Sequence, residues 1–109
     1  MLCVLPTDKP RELGPVRFDS DMRVTEVQDK PADTDLNNSW SMAIWGPRFG
    51  EMLGDAVRQN PGQTLGAVFQ QAVDAKMNVR AAWFPGGAFY DVGTPKGLAE
   101  ALPQFLKGL

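Results

Sequence analysis

Hydrophobic positions along this chain keep two rhythms, and the rhythm changes near its middle. The apolar run at residues 2–5, stopped by Pro6, reads as a short strand. A polar, proline-containing loop covers 7–13. Residues 15–19 then alternate, with Val16 and Phe18 on one face and Arg17 on the other. Asp19, Ser20 and Asp21 supply a turn, because short polar side chains fold back onto nearby amides. Residues 23–28 return, so the spacing predicts a β-hairpin from about 14 to 30, ended by Pro31. After an acidic loop over 32–38, residues 39–45 alternate again. This pattern puts Trp40, Met42 and Ile44 on one face of a half-buried strand and Ser39, Ser41 and Ala43 on the other.

From Gly46-Pro47 onward the period lengthens to that of a helix. Pro47 suits a first helical position, where its missing N–H has no partner to lose. Phe49, Met52, Leu53, Ala56 and Val57 form one stripe, and Asn60-Pro61-Gly62 ends it. Thr64 caps a second helix whose stripe is Leu65, Val68, Phe69, Ala72 and Val73. A strand over 79–84, a Pro-Gly-Gly turn at 85–87 and a last short strand over 88–92 follow. Thr94-Pro95 then opens a third helix with Leu98, Ala101, Leu102, Phe105, Leu106 and Leu109 on its apolar side. Pro103 inside it predicts a kink. The sum is β-β-β-β-α-α-β-β-α: a small mixed sheet covered by about three amphipathic helices, hence an α/β or α+β domain.

Composition narrows the chemistry. A chain of 109 residues fits a single domain, 1–109, and 43% hydrophobic content with three Trp and six Phe is globular. There is no histidine, which removes His-based nucleophilic catalysis and His-ligated metals. One cysteine, Cys3, cannot form an internal disulfide and reads as a small buried hydrophobe. A metal here is expected to be a hard ion on carboxylates, Mg²⁺ first. A net charge of −2 without a basic run excludes nucleic acid and an anionic membrane surface as expected partners. No apolar stretch is long enough to span a membrane or to act as a signal peptide, and the expected location is cytoplasmic.

Two stretches carry candidate chemistry. Asp29-Lys30-Pro31 closes the hairpin with an acid, a base and a stop. A carboxylate can accept from sugar hydroxyls and an adjacent lysine can meet a phosphate. The same couplet also reads as an ordinary exposed pair. The stretch FYDVGTP at 89–95 places Asp91 between a strand and a helix N-terminus, where ligands and anions collect. Its plainer reading is that Asp91 helps Thr94 satisfy the first helical turn.

The ordered series LGPVRFDSDMRVTEVQDKP (13–31), NNSWSMAIW (37–45) and FYDVGTPKGLAEAL (89–102) resembles the C-terminal part of the sugar-phosphate nucleotidyltransferases, the glucose-1-phosphate thymidylyltransferase and mannose-1-phosphate guanylyltransferase type. In that family a Gly-x-Val-x-Phe-Asp strand leads to Glu-Lys-Pro, and the segment closes on Asp-x-Gly-Thr-Pro and a helix. The resemblance covers about residues 1–105. It implies the second half of a Rossmann-like nucleotidyltransferase domain. Asp29 would hold sugar hydroxyls, Lys30 would meet the phosphate, Asn38 would lie in the loop before the sugar-facing strand, Phe89 and Tyr90 would line the sugar pocket, and Asp91 would be one Mg²⁺ ligand.

The departures are as definite. No Gly-rich triphosphate loop with its Arg and Lys stands in these 109 residues. Asp29 replaces the usual Glu, Met42-Ala43 stands where the family shows a polar residue and Gly, and Pro61 stands where it shows a phosphate-binding Arg. The resemblance therefore leads us to expect a truncated, sugar-phosphate-binding domain, inactive alone. A homodimer would cover the open sheet, or a complementary nucleotide-binding chain would complete a split enzyme. A ligand-free, oligomeric interaction module is the reading of a different class.

Overall fold

A computed structural model of the chain describes residues 1–107. Nine elements follow one another: β1 (Leu2–Pro6), a 3-10 turn (Pro10–Glu12), β2 (Val16–Phe18), β3 (Val24–Val27), β4 (Asn38–Ala43), α1 (Pro47–Gln59), α2 (Leu65–Asp74), β5 (Ala81–Trp83) and α3 (Pro95–Leu106). The mixed α/β expectation holds. β1 is central in a three-stranded sheet of order β4-β1-β5, antiparallel to β4 and parallel to β5. The predicted hairpin is a second, two-stranded sheet of β2 and β3. It is tied to the first where Val24 N–H donates to the Val79 carbonyl (2.9 Å) and Ala81 N–H to that of Met22 (2.8 Å).

The core lies between the sheets and the faces of α1 and α2. Leu2, Val4, Val16, Val24, Val27, Phe49, Ala56, Val68, Phe69, Ala72 and Ala81 form one buried cluster. Each fully buried aliphatic side chain stabilises the fold by about 1.5–3 kcal/mol. Phe69 on α2 is its hub, with ring centroids 5.2 Å from Trp40 and 5.5 Å from Phe49. α2 begins and ends as its sequence dictates. The Thr64 hydroxyl accepts from Ala67 N–H (3.2 Å). Lys76, at φ 61°, turns the chain so that Met77 N–H reaches the Ala72 carbonyl (3.1 Å), closing a Schellman motif.

Three expectations are corrected. In β4 the alternation does not persist. Val4 pairs with Trp40 but Cys3 with Met42, so Ser41 is an extra residue, a bulge. The bulge exchanges the faces: Trp40 packs on the core, Ala43 rather than Met42 takes the next inward place, and Met42 and Ile44 are 64% and 67% exposed. Residues 88–92 form no strand. None of them pairs with β5 or another strand, and the Asp91 carboxylate folds onto the Gly93 amide instead (2.8 Å). The stretch expected at 79–84 is likewise trimmed to β5, with Arg80 bridging Arg23.

Helix α3 starts where predicted, Thr94 accepting from Gly97 N–H (3.0 Å), and continues past Pro103. Its stripe is not covered: only Ala101 is buried, while Leu98, Leu102, Phe105 and Leu106 are open. Leu109 lies outside the described residues. A radius of gyration of 15.1 Å, against about 13 Å for a compact chain of this length, fits a helix standing off the body.

Candidate functional site

The parallel pair β1 and β5 sets the direction of the site. Ligands of α/β folds gather beyond the carboxyl ends of parallel strands, where loops diverge. Here the loop after β1 (residues 7–13) and the segment after β5 (residues 84–94) run out from those ends. Between them and the first turns of α3 lies a cavity of about 520 Å³. Its walls are Thr7, Asp8, Lys9, Glu12 and Leu13 on one side and Phe89, Tyr90, Asp91, Thr94, Lys96, Gly97 and Glu100 on the other.

Local chemistry places each wall. Thr7 N–H donates to the Asn37 carbonyl (2.9 Å) and its hydroxyl accepts from Lys9 N–H (3.1 Å), which aims Lys9. The Pro10–Glu12 turn brings Glu12 round to the same side. Asp91 is held twice. Its Oδ1 accepts from Gly93 N–H, and its carbonyl lies so close to Gly97 that a Cβ there would overlap the oxygen and stand 2.9 Å from the carbonyl carbon. Tyr90 leans on α3, its ring 6.3 Å from that of Phe105.

Of the residues read from the sequence, Phe89, Tyr90 and Asp91 share this cavity. Asp29 and Lys30 are not among its walls. Asp29 Oδ2 accepts from the Thr64 hydroxyl (2.5 Å), and its Cβ would sit 3.6 Å from a methyl at Gly66, so it rests on the first turn of α2. Lys30, at φ 44°, donates its backbone N–H to the carbonyl of Leu13, a wall residue (2.9 Å). Asn38 is not in a loop. It is the buried first residue of β4, and its side chain is engaged at both ends by Val16, accepting from its N–H (2.8 Å) and donating to its carbonyl (3.0 Å). A buried β2 strand needs those partners, and the amide supplies them where no neighbouring strand does.

The reading from sequence missed Lys9, Lys96, Asp8, Glu12 and Glu100 as wall residues. Lys96 carried a signal: it follows the helix-opening Thr94-Pro95 directly. Lys9 carried none, since only the course of the loop brings it across.

The cavity is mixed in character, with hydrogen-bond acceptors, two ammonium groups and two aromatic rings. That combination suits a polar ligand better than an apolar one. Among the described residues no three His, Cys, Asp or Glu side chains gather to hold a metal ion. Asp91, with Oδ2 uncommitted, offers one hard oxygen donor. That fits Mg²⁺, which takes one or two carboxylates and fills its shell with phosphate and water.

The fold is thus a mixed α/β domain with a polar cavity beyond two parallel strands, closed by an Asp-Val-Gly-Thr-Pro helix start. The nucleotidyl transferase family profile matches residues 1–108, and the chain belongs to that family. A search of curated proteins found no match. No helix among the described residues is long and apolar enough to cross a membrane.

Proposed function

We propose that the chain is the sugar-phosphate-binding part of a sugar-1-phosphate nucleotidyltransferase, a single domain of the thymidylyltransferase or guanylyltransferase type, working in the cytoplasm. The observation that carries this reading is the meeting of Phe89, Tyr90 and Asp91 in one cavity beyond β1 and β5. The aromatic rings would face the sugar and the carboxylate would hold Mg²⁺ beside the phosphate. Asp29, Lys30 and Asn38 would add sugar-phosphate contacts from the hairpin side, where Asp29 meets Thr64, the Lys30 N–H meets Leu13 and the Asn38 side chain engages Val16.

Nucleotidyl transfer joins a sugar-phosphate oxygen to the α-phosphorus of a nucleoside triphosphate and expels pyrophosphate. It runs on positioning and charge neutralisation. These 109 residues carry no Gly-rich loop to hold the triphosphate. These residues by themselves would therefore bind without turning over. Thermal shift with a panel of sugar 1-phosphates and Mg²⁺ tests the reading: stabilisation that Asp91→Asn abolishes supports it, and none across the panel sinks it. Metal-dependent pyrophosphate release by the chain alone would overturn the inactive part.

A second reading, an oligomeric interaction module, is favoured by the open stripe of Leu98, Leu102, Phe105 and Leu106 on α3. A second copy or a nucleotide-binding chain would cover it. Light scattering at tens of micromolar decides: a clean monomer that stays so excludes the homodimer.

A further inference from the structure

At the opposite end of β1 from the polar cavity lies a second cleft, of about 240 Å³, enclosed by Met1 and Leu2, the end of β4, the start of α1 and the 77–79 segment. β1 is five residues long, so the two sites stand roughly 16 Å apart, and they share no wall. The floor of the cleft is apolar and largely aromatic. Phe49, Phe69 and Ala72 are buried, and the half-exposed Trp45 lines the same space, its ring 5.3 Å from that of Phe49 and 6.5 Å from that of Phe69. Interiors pack with few voids wider than a water molecule, so a cleft this large against core rings is not a remainder of packing. A cavity of about 150 Å³ lined by apolar side chains already holds a benzene ring. Aromatic rings meet favourably at centroid distances of about 4.5–7 Å, so a floor of three rings favours an aromatic guest over an aliphatic one.

The rim decides the charge of the guest. Among the described residues, no aspartate or glutamate is a wall of this cleft, in a protein whose acids outnumber its bases by 13 to 11. Arg48 is a wall, and its guanidinium joins no ion pair: among the described residues, those are Arg11–Asp33, Arg17–Glu26, Arg17–Asp35 and Arg58–Asp55. Glu51, one turn further along α1, lies outside the cleft. Asn78 Oδ1 accepts from Arg80 Nε (2.9 Å), which leaves Nδ2 of this wall residue as a second donor. An apolar floor beside an unpaired cation and an amide donor suits a carboxylate carried on a ring. We infer that this cleft is a binding site for a small aromatic carboxylate, with the ring among Trp45, Phe49 and Phe69 and the carboxylate on Arg48. A neutral ring fills the same floor but lacks the charge-assisted contact.

The test is calorimetric titration of the full chain with hydrocinnamate and with its neutral counterpart, hydrocinnamyl alcohol, while NMR follows the amide and indole N–H shifts. The acid is expected to bind about tenfold more tightly than the alcohol, the worth of one charge-assisted contact. It is also expected to shift the Trp45 indole N–H and the amides of Leu2 and Val79. Arg48→Gln alters an exposed side chain and leaves the core untouched. It is expected to weaken the acid about tenfold and the alcohol less than about twofold. Arg58→Gln, at the far end of α1, is expected to change either affinity less than about twofold. Binding of neither probe at millimolar concentration overturns the inference, and so does equal affinity for acid and alcohol. Equal weakening of the acid by both arginine variants marks diffuse attraction and overturns it too, as do shifts confined to the walls of the polar cavity. Each of these results leaves the proposed function standing, because the two cavities share no residue.

Discussion

Gly14 precedes β2 and lies under the Trp40 indole, so the smallest possible enlargement there probes the packing of the whole core. A Cβ at Gly14 would stand 2.8 Å from Trp40 Cδ1, closer still to Nε1, and 3.4 Å from Cε2. Carbon atoms pack best at about 3.5–4.0 Å, so the ring must retreat by roughly 1 Å. It has nowhere easy to go. The Trp40 backbone is held in register with Val4 and donates to the Gly14 carbonyl (3.0 Å), and the ring meets Phe69 edge-on at 5.2 Å. Overpacking costs about 1–3 kcal/mol, and losing the aromatic pair about 0.5–1.5 kcal/mol. The stiffer unfolded chain returns about 0.4–1 kcal/mol. Gly14→Ala should therefore destabilise by about 2 kcal/mol and lower Tm by roughly 10 °C. Urea and thermal unfolding, followed by far-UV circular dichroism, measure it. Gly86→Ala is the control, since nothing lies within 4 Å of its Cβ and the same change there should be neutral or mildly stabilising. A double-mutant cycle with Trp40→Phe should show strong coupling, because the smaller ring makes room for the methyl. Equal melting of Gly14→Ala and Gly86→Ala, or strict additivity with Trp40→Phe, would refute the reasoning.

Four further outcomes are expected. Thr64→Ala breaks the relay from Asp29 to the Ala67 amide and should cost about 1 kcal/mol by urea unfolding, while Thr64→Ser retains most of it. Gly97→Ala, normally a gain inside a helix, should instead push the 89–93 segment off α3, seen as faster amide exchange at Gly93 with little change in global stability. Lys76→Gly should raise stability by up to about 1 kcal/mol, because the left-handed φ of 61° is strained for lysine and free for glycine. The Arg17 guanidinium holds the Asp35 carboxyl below its ordinary range, chiefly through their hydrogen bond (2.7 Å). A carboxyl depressed in the folded state contributes stability that is present above its unfolded pKa and lost as pH falls through the folded value. Asp35→Asn should thus lessen the acid-side decline of Tm, an effect that salt should erase in the parent because the pair is exposed.

How far the sequence could be read depended on whether a local signal or a distant partner decided the outcome. Thr64 and Thr94 cap their helices where chain-local rules put them, and the hairpin from Val16 to Val27 needed only its alternation and its turn. The bulge at Ser41 was not legible, because it arises from how β4 meets β1, and nothing within residues 39–45 marks the extra residue. The same division runs through the site. Phe89, Tyr90 and Asp91 line one cavity because they share a segment with the Gly-Thr-Pro helix start. Lys9 was missed because its place opposite Lys96 depends on where β1 and β5 lie parallel. Asp29-Lys30, adjacent in sequence and chemically suggestive, is divided by its neighbours: the acid goes to Thr64 on α2 and the lysine amide to Leu13. Short-range patterns thus single out residues of suggestive chemistry. The parallel pairing of two short strands, established over nearly eighty residues of chain, decides which of them face the same cavity.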